Sequence, residues 1–396
     1  MPRPALELAD IVRRHGDAYR QTHSLSLEQL RPLRAIEVCR RAELGGHVEQ
    51  CGQCNFTRIA YNSCRNRHCP KCQRLDRARW LQQRQAELLP VEYFHVVFTL
   101  PEALNGIALQ NKTTVYGILF RAAAETLLTI AGDPQHLGAQ IGFFAILHTW
   151  GQNLLHHPHL HCVVPGGGLS PDGDWVPCRP GFFLPVRVLS SLFRKLFLQM
   201  LEKAFRQDQL QFHGDWAYLH QPDAFLRYIR PLAKIDWVVY AKPPFGGPHQ
   251  VLEYLGRYTH RVAISNDRLA AQDDTSVSFR WKDYRHGNRQ KVMKLPAEEF
   301  LRRFLLHTLP PGLQRIRHYG LFSNRRRRQT LEQCRTLLAT PASALLPRPA
   351  QDYRDLYQSL TAVSLRQCPH CGSGQMEIIE VFPPRPFRRV EGVDSS

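Results

Sequence analysis

Two histidines separated by one residue are the first feature of this sequence that could support metal chemistry. His159 and His161 flank Leu160 in a run whose composition predicts a β-strand. Alternation along a strand places both imidazoles on one face and Leu160 on the other. Two imidazoles about 7 Å apart along a strand can hold one divalent ion if a third ligand approaches from a neighbouring element. The alternative is a polar strand face whose histidines are simply solvated.

Two tyrosines four residues apart are the second such feature. Tyr254 and Tyr258 stand in a stretch, 249–260, that is predicted to be helical, so they share a helix face and can reach the same site. Their cationic or ionisable neighbours suit phosphate oxygens: Arg257, His260 and Arg261. The alternative is a helix that packs two aromatic rings into a core.

Six of the eleven cysteines stand in three Cys-x-x-Cys pairs, each of which can supply half of a tetrahedral thiolate shell for zinc. The predicted zinc ligands are Cys51, Cys54, Cys69 and Cys72, and further candidates are Cys39, Cys64, His47 and His68. The third pair, Cys368 and Cys371, forms only half a site and leaves a second zinc open. Reduced structural cysteines are the alternative.

The charge of the chain indicates a polyanionic partner. Lys and Arg number 52 against 34 Asp and Glu, for a net charge of +18. The sequence pI is about 9.7, and nucleic acid is the expected partner. Within the cysteine-rich region the predicted DNA contacts are Arg65, Arg67, Lys71 and Arg74. The alternative is that the zinc-stabilised region binds a partner other than DNA. The basic run 325–328 is also expected to contact DNA.

The sequence gives no indication of a membrane protein. No apolar run approaches the roughly 18 residues that a membrane span needs. Residues 1–16 carry charges throughout and lack the apolar stretch of a secretory signal. We therefore expect a cytoplasmic protein whose cysteines bind metal rather than form disulfides.

Composition and periodicity predict an α+β protein in three consecutive parts. Residues 1–90 form a zinc-binding, DNA-binding module, 91–325 a catalytic domain, and 326–396 a basic, Pro-rich tail with a lone Cys-x-x-Cys pair. Predicted strands cover 93–100, 141–150, 159–165, 237–242, 277–284 and 291–295, and predicted helices cover 74–89, 103–131, 190–206, 249–260 and 297–307. The pairs 141–150 with 159–165 and 277–284 with 291–295 are expected to form antiparallel hairpins.

Taken together, these motifs resemble a known family. Two histidines around one hydrophobic residue, followed downstream by Tyr-x-x-x-Tyr, resemble the HUH endonuclease superfamily. The strings at 62–73, 157–168 and 254–266 are similar to those of the insertion-sequence ninety-one family of rolling-circle transposases. The hairpin at 279–284 and the helix segment at 300–304 follow in the same order, so the resemblance spans about residues 30–325.

This resemblance implies a fold, a metal site and a mechanism. It implies an HUH-type antiparallel sheet flanked by helices, with the histidine pair on a central strand and the tyrosines on a helix beside it. His159 and His161 would hold Mg²⁺ or Mn²⁺, and Tyr254 or Tyr258 would attack the DNA phosphate to give a 5′-phosphotyrosine. Family members draw the third metal ligand from a neighbouring element, and Gln152 is the first candidate here. His148 is the alternative, and His157 is a weaker one.

Two other functions remain open at this point. A plasmid or phage replication initiator would use the same histidine and tyrosine pairs, with a helicase domain or a partner helicase. Either kind of helicase would favour this alternative, and the sequence contains no Gly-x-x-x-x-Gly-Lys-Ser/Thr loop. The second alternative function is that of a zinc-dependent DNA-binding regulator without catalysis. Replacing Tyr254 and Tyr258 with phenylalanine separates it from an enzyme, because a regulator would lose nothing.

Overall fold

The computed structural model of the chain describes residues 6–85, 87–242, 250, 256, 263–283, 287, 289–323, 327–339 and 352–385. The chain forms two compact units, each assembled from segments distant in sequence. The first comprises residues 1–79, 260–308 and 348–396, and the second comprises 80–259 and 309–347. The chain therefore crosses between units several times, whereas the sequence predicted three consecutive domains.

Both units combine α-helices with antiparallel sheets, in agreement with the predicted fold class. The described helices are α1 (Leu8–Thr22), α2 (Leu27–Glu37), α3 (Gln73–Gln85), α4 (Asn105–Gln110), α5 (Lys112–Gly132), α6 (Val186–Arg206), α7 (Pro222–Ile229), α8 (Ala297–Leu306), α9 (Arg327–Leu337) and α10 (Tyr353–Thr361). The described strands are β1 (Gly46–Cys51), β2 (Thr57–Tyr61), β3 (Tyr93–Thr99), β4 (Gly142–Trp150), β5 (His156–Pro165), β6 (Gly167–Leu169), β7 (Trp175–Pro177), β8 (Val239–Lys242), β9 (Leu269–Gln272), β10 (Ser276–Asp283), β11 (Arg289–Pro296), β12 (Ile316–Gly320) and β13 (Met376–Phe382).

A five-stranded sheet organises the second unit. Its order is β12-β4-β5-β3-β8, and every neighbouring pair is antiparallel. The predicted hairpin of 141–150 with 159–165 is confirmed as β4 and β5. The strand that carries His159 and His161 is therefore the middle strand of the sheet.

One face of this sheet is covered by helices. Phe98 and Leu160 point to this face and are fully buried in a large apolar core with α5 and α6. Each such side chain contributes roughly 1.5–3 kcal/mol by leaving water. Among the described residues, α5 alone is long and apolar enough to cross a membrane, and 67% of that segment is buried in the protein. The helix belongs to the core of this unit.

On the opposite face, the described residues form an apolar cluster at one end. There Tyr93, Phe144, Ile146 and Val163 form a small apolar cluster, against which Trp80 and Leu81 pack. Because side chains alternate along each strand, the same face carries the histidines of β4 and β5 further along.

The first unit holds the cysteine-rich region. One sheet has the order β13-β1-β2, and a second has the order β11-β10-β9, which contains the predicted hairpin of 277–284 with 291–295. Strand β13 comes from the C-terminal segment and pairs with β1, so that Cys51 lies opposite Met376. The prediction that this segment is a tail with an isolated cysteine pair is therefore wrong, since the strand completes a sheet with the N-terminal region.

Candidate functional site

The register of β4 and β5 brings three histidines together. His148 lies directly opposite His159, and Ile146 lies opposite His161. Because Leu160 points into the core on the other face, both histidines of β5 point to the same side as His148. One ring nitrogen from each histidine lies within 4.8 Å of the others.

Burial favours the neutral, metal-binding form of the two histidines on β5. Burial lowers the pKa of His159 to about 3, and it lowers the pKa of His161 well below the ordinary value. The His148 ring centroid is 4.3 Å from that of His161 and 5.3 Å from that of His159. Three imidazole nitrogens this close together are donors of the kind that transition-metal ions accept.

A hydrogen bond fixes which nitrogen His159 offers. Nδ1 of His159 donates to the carbonyl oxygen of His157 at 2.6 Å, so Nε2 carries the lone pair. Nδ1 of His161 lies 2.7 Å from Nε2 of His95, so the His161 ring also has a side-chain partner. Such outer contacts hold a ligand ring in one orientation.

His95 is a site residue that the sequence reasoning missed. It lies on β3, and its ring stacks on that of His161 with centroids 4.9 Å apart. Burial lowers the pKa of His95 to about 4. The strand around His95 was predicted correctly, but its pairing with β5 involves residues more than 60 positions away. Nothing local in the sequence marks this contact.

Replacing His95 with phenylalanine is expected to weaken the metal site without unfolding the sheet. Phenylalanine keeps a ring of similar size but removes the hydrogen bond to His161, and loss of such a contact costs about 10- to 100-fold in metal affinity. A Mn²⁺ titration followed by electron paramagnetic resonance measures the change. An affinity equal to that of the unmodified chain would show that His95 does not orient His161.

The predicted third ligand can be compared with its alternative. Gln152 lies half-buried in the turn between β4 and β5 and remains a prediction. His148, the alternative, is 2% exposed and belongs to the histidine group. The ring of His157 is 5.2 Å from that of His159, but the residue is exposed at the strand edge and is not a member of that group.

The tyrosine pair lies outside the described residues, together with Arg257, His260 and Arg261. Gly256, midway between the tyrosines in sequence, is described and buried. A Cβ atom added there would lie 2.4 Å from Cδ2 of Leu81, so the backbone of Gly256 packs closely on that leucine. Leu81 in turn packs on Tyr93 and its neighbours, on the sheet face that carries the histidines.

The cysteines form two groups of four, and neither group is the predicted zinc set. The first group consists of Cys39, Cys64, Cys69 and Cys72, and the second of Cys51, Cys54, Cys368 and Cys371. The predicted set of Cys51, Cys54, Cys69 and Cys72 is thus divided between them. The turn between β1 and β2 carries its cysteines to the C-terminal segment, because β1 pairs with β13. His47 and His68 are members of neither group: His47 contacts Glu49 and His68 contacts Asn66.

The sulfur spacing in both groups fits a tetrahedral zinc ion. Zinc–sulfur bonds of about 2.3 Å require sulfurs about 3.8 Å apart. In the first group, Sγ of Cys72 is 3.6 Å from that of Cys39 and 3.5 Å from that of Cys64. Within this group the Cys64 thiol lowers the pKa of Cys39, and Cys39 raises the pKa of both Cys64 and Cys69.

The predicted DNA contacts differ in their exposure and in their ion pairs. Arg65 and Arg67 are exposed in the loop before α3. Lys71 is half-buried and forms an ion pair with Glu7. In the run 325–328, Arg327 pairs with Glu87 and Arg328 with Glu332, while the side chain of Arg74 lies outside the described part of the molecule.

Comparison with known proteins assigns the chain to a class. The model described as "Transposase zinc-binding domain" matches residues 11–100, and the model described as "Putative transposase" matches residues 142–330. The first range contains the whole first cysteine group, and the second contains all three grouped histidines. The class of protein is therefore a transposase with a zinc-binding domain.

Two relatives that match most of the chain identify the family within this class. The chain is 64% identical over 394 residues to "Putative transposase y4qJ" of Sinorhizobium fredii, covering 97% of this chain and 99% of that protein. It is 28% identical over 373 residues to the transposase for insertion sequence element IS801 of Pseudomonas savastanoi pv. phaseolicola, covering 86% and 83% respectively. The chain belongs to the insertion-sequence ninety-one family of transposases. No solved structure matches it.

Proposed function

We propose that this transposase nicks and rejoins single DNA strands through a 5′-phosphotyrosine intermediate, on an HUH-type sheet, in rolling-circle-like transposition. The observation that carries the proposal is the group of three imidazoles on one face of a five-stranded antiparallel sheet, centred on its middle strand. It lies within the range matched by the transposase family model. Three clustered metal-ligating side chains on one sheet face are expected of a catalytic centre.

His159, His161 and His148 would hold the divalent ion, with Gln152 as the alternative third ligand. Imidazole donors suit Mn²⁺ better than Mg²⁺, which prefers oxygen ligands and water. When bound, the ion would neutralise charge on the scissile phosphate and orient it for attack. His95 would hold the His161 ring in place throughout.

Tyr254 and Tyr258 would supply the nucleophiles. The phenolic oxygen attacks phosphorus and forms a P–O bond, the bond to the 3′ oxygen breaks, and that oxygen takes a proton from solvent as the phenol loses one. The energy of the broken bond is retained in the phosphotyrosine for a later joining step. Two tyrosines allow a second cleavage while the first strand end is still attached.

The packing of Gly256 supports this assignment. Gly256 stands two residues from each tyrosine in the sequence and packs on Leu81, on the face of the sheet that carries the histidines. If Gly256 lay in the large apolar core on the other face of the sheet, it would not contact Leu81.

DNA would be held by the basic side chains near both centres. Arg65 and Arg67 are exposed and would contact phosphates, and Arg74, Arg257, His260 and Arg261 would extend the contact. The pairing of Lys71 with Glu7 makes it a weaker contributor. A host helicase would supply the unwound strand.

A covalent adduct assay tests the proposal. The full chain is incubated with labelled single-stranded oligonucleotides from candidate element ends, with Mn²⁺, Mg²⁺ or EDTA, and then denatured and separated by electrophoresis. We expect a DNA-linked protein band with Mn²⁺, less with Mg²⁺ and none with EDTA. A chain that binds these oligonucleotides in a native gel but forms no adduct with either ion would be a DNA-binding regulator, and the proposal would fail.

A further inference from the structure

The second cysteine group joins two cysteines at the β1–β2 turn to two cysteines of the C-terminal segment. Of the six cysteines within the matched zinc-binding range 11–100, four form the first group and leave Cys51 and Cys54 over. Their partners, Cys368 and Cys371, lie outside both matched ranges. We propose that these four cysteines bind a second zinc ion, which fastens the C-terminal segment to the zinc-binding domain.

The sulfur geometry supports a four-thiolate site. Sγ of Cys51 is 3.8 Å from that of Cys371, and Sγ of Cys54 is 3.7 Å from that of Cys368. Both distances match the spacing of about 3.8 Å around tetrahedral zinc. The cysteines are unlinked by disulfides, so each thiol is available as a ligand.

Backbone amides are aimed at the sulfurs. The N–H groups of Gln53 and His370 each donate to the cysteine two residues earlier, at 3.4 Å. The N–H of Gly374 donates to Sγ of Cys371 at 3.3 Å. Amide donors toward sulfur stabilise negative charge, which is what a shell of thiolates around a dication requires. Neutral thiols in a plain apolar core have no need of them.

The apolar cluster around the four sulfurs is small. Among the described residues it consists of Cys51, Cys368 and Met376, with Phe56 packed against them. Most of β13 beyond Met376 is exposed, including Ile379 at 55%. The segment is also held by the pairing of β13 with β1, and a metal ion bound by both Cys-x-x-Cys turns would add a crosslink to this pairing.

Gly374 is required at this site because of its closeness to sulfur. A Cβ atom added to Gly374 would lie 2.3 Å from Sγ of Cys51 and 3.4 Å from that of Cys371. An alanine there would displace a ligand sulfur while leaving all four thiols in the chain. Gly52, next to Cys51 in sequence, offers a matched control, because a Cβ atom there meets nothing within 4 Å.

Metal analysis of the purified full chain tests the proposal. We expect the zinc content to fall by one ion per chain, relative to the unmodified protein, in both Cys368→Ser/Cys371→Ser and Gly374→Ala. Gly52→Ala and Cys178→Ser, which alters a cysteine outside both groups, should keep the zinc content of the unmodified protein. An unchanged zinc content in Cys368→Ser/Cys371→Ser, or iron in place of the lost zinc, would overturn it.

A second measurement keeps the test valid if the cysteine variants fold poorly. After Co²⁺ replaces zinc, thiolate-to-metal absorption should fall by about half in Gly374→Ala, and the remaining band would report the first group. Unchanged absorption in Gly374→Ala would contradict the proposed ligands. Neither measurement depends on DNA cleavage, so a failure here is distinguishable from failure of the proposed strand-transfer activity.

Discussion

Phenylalanine at both positions 254 and 258 is expected to abolish the covalent DNA adduct, with a fall on the order of 10³-fold or more. Phenylalanine keeps the aromatic ring and removes only the oxygen that would attack phosphorus. Each single variant should retain one round of cleavage but lose strand rejoining, because one nucleophile remains. The adduct assay with labelled oligonucleotides measures both effects.

Tyr240 provides a control for this experiment. It lies on β8 opposite Val97, so the alternation of the strands places it on the sheet face that carries the histidines. It is 40% exposed and carries the same phenol. Tyr240→Phe should leave the adduct unchanged. If it removed the adduct while the double variant at 254 and 258 kept it, the proposed nucleophiles would be wrong.

The double variant should also keep every property that does not need a phenol. Zinc content and affinity for single-stranded DNA are expected to stay within about twofold of the unmodified chain, since each Tyr→Phe change removes only a hydroxyl group. Retained binding with lost adduct would separate an enzyme from a regulator. Loss of binding would instead indicate that the rings serve mainly in packing.

How far the sequence predicted the site depends on how local each signal is. The strand around His159 and His161 was predicted, because alternation over a few residues determines which side chains share a face. The position of His148 could be offered only as an alternative, since it depends on the register between two strands. His95 was missed because it depends on a second strand pairing as well.

The cysteines also show that contacts between residues distant in sequence could not be predicted. Each Cys-x-x-Cys pair was recognised, but which halves combine is decided by the pairing of β1 with β13. Cys51 and Cys371 are 320 residues apart, and no spacing rule connects them. Because they are close in sequence, the cysteine pairs at 51–54 and 69–72 were predicted to bind one zinc ion together. In the folded chain the two pairs belong to different groups. Cys39, which was predicted only as a further candidate ligand, is a member of the first group.

The third metal ligand yields the last prediction. His148→Phe should lower Mn²⁺ affinity and Mn²⁺-dependent adduct formation by about 10²- to 10³-fold, because one of three ligating nitrogens is lost while ring volume is kept. Keeping the ring matters, since His148 is buried and stacks on Trp150 with centroids 4.6 Å apart. Thermal melting without metal checks that this packing survives.

Gln152→Ala is the matched comparison, since this residue lies in the following turn and is half-buried. We expect its Mn²⁺ affinity and adduct yield to stay within about threefold of the unmodified chain, in keeping with a change away from the coordination shell. The reverse pattern, with His148→Phe active and Gln152→Ala inactive, would make the glutamine the third ligand. In that case His148 would act as a buried neighbour that holds the rings of His159 and His161, in the role argued here for His95.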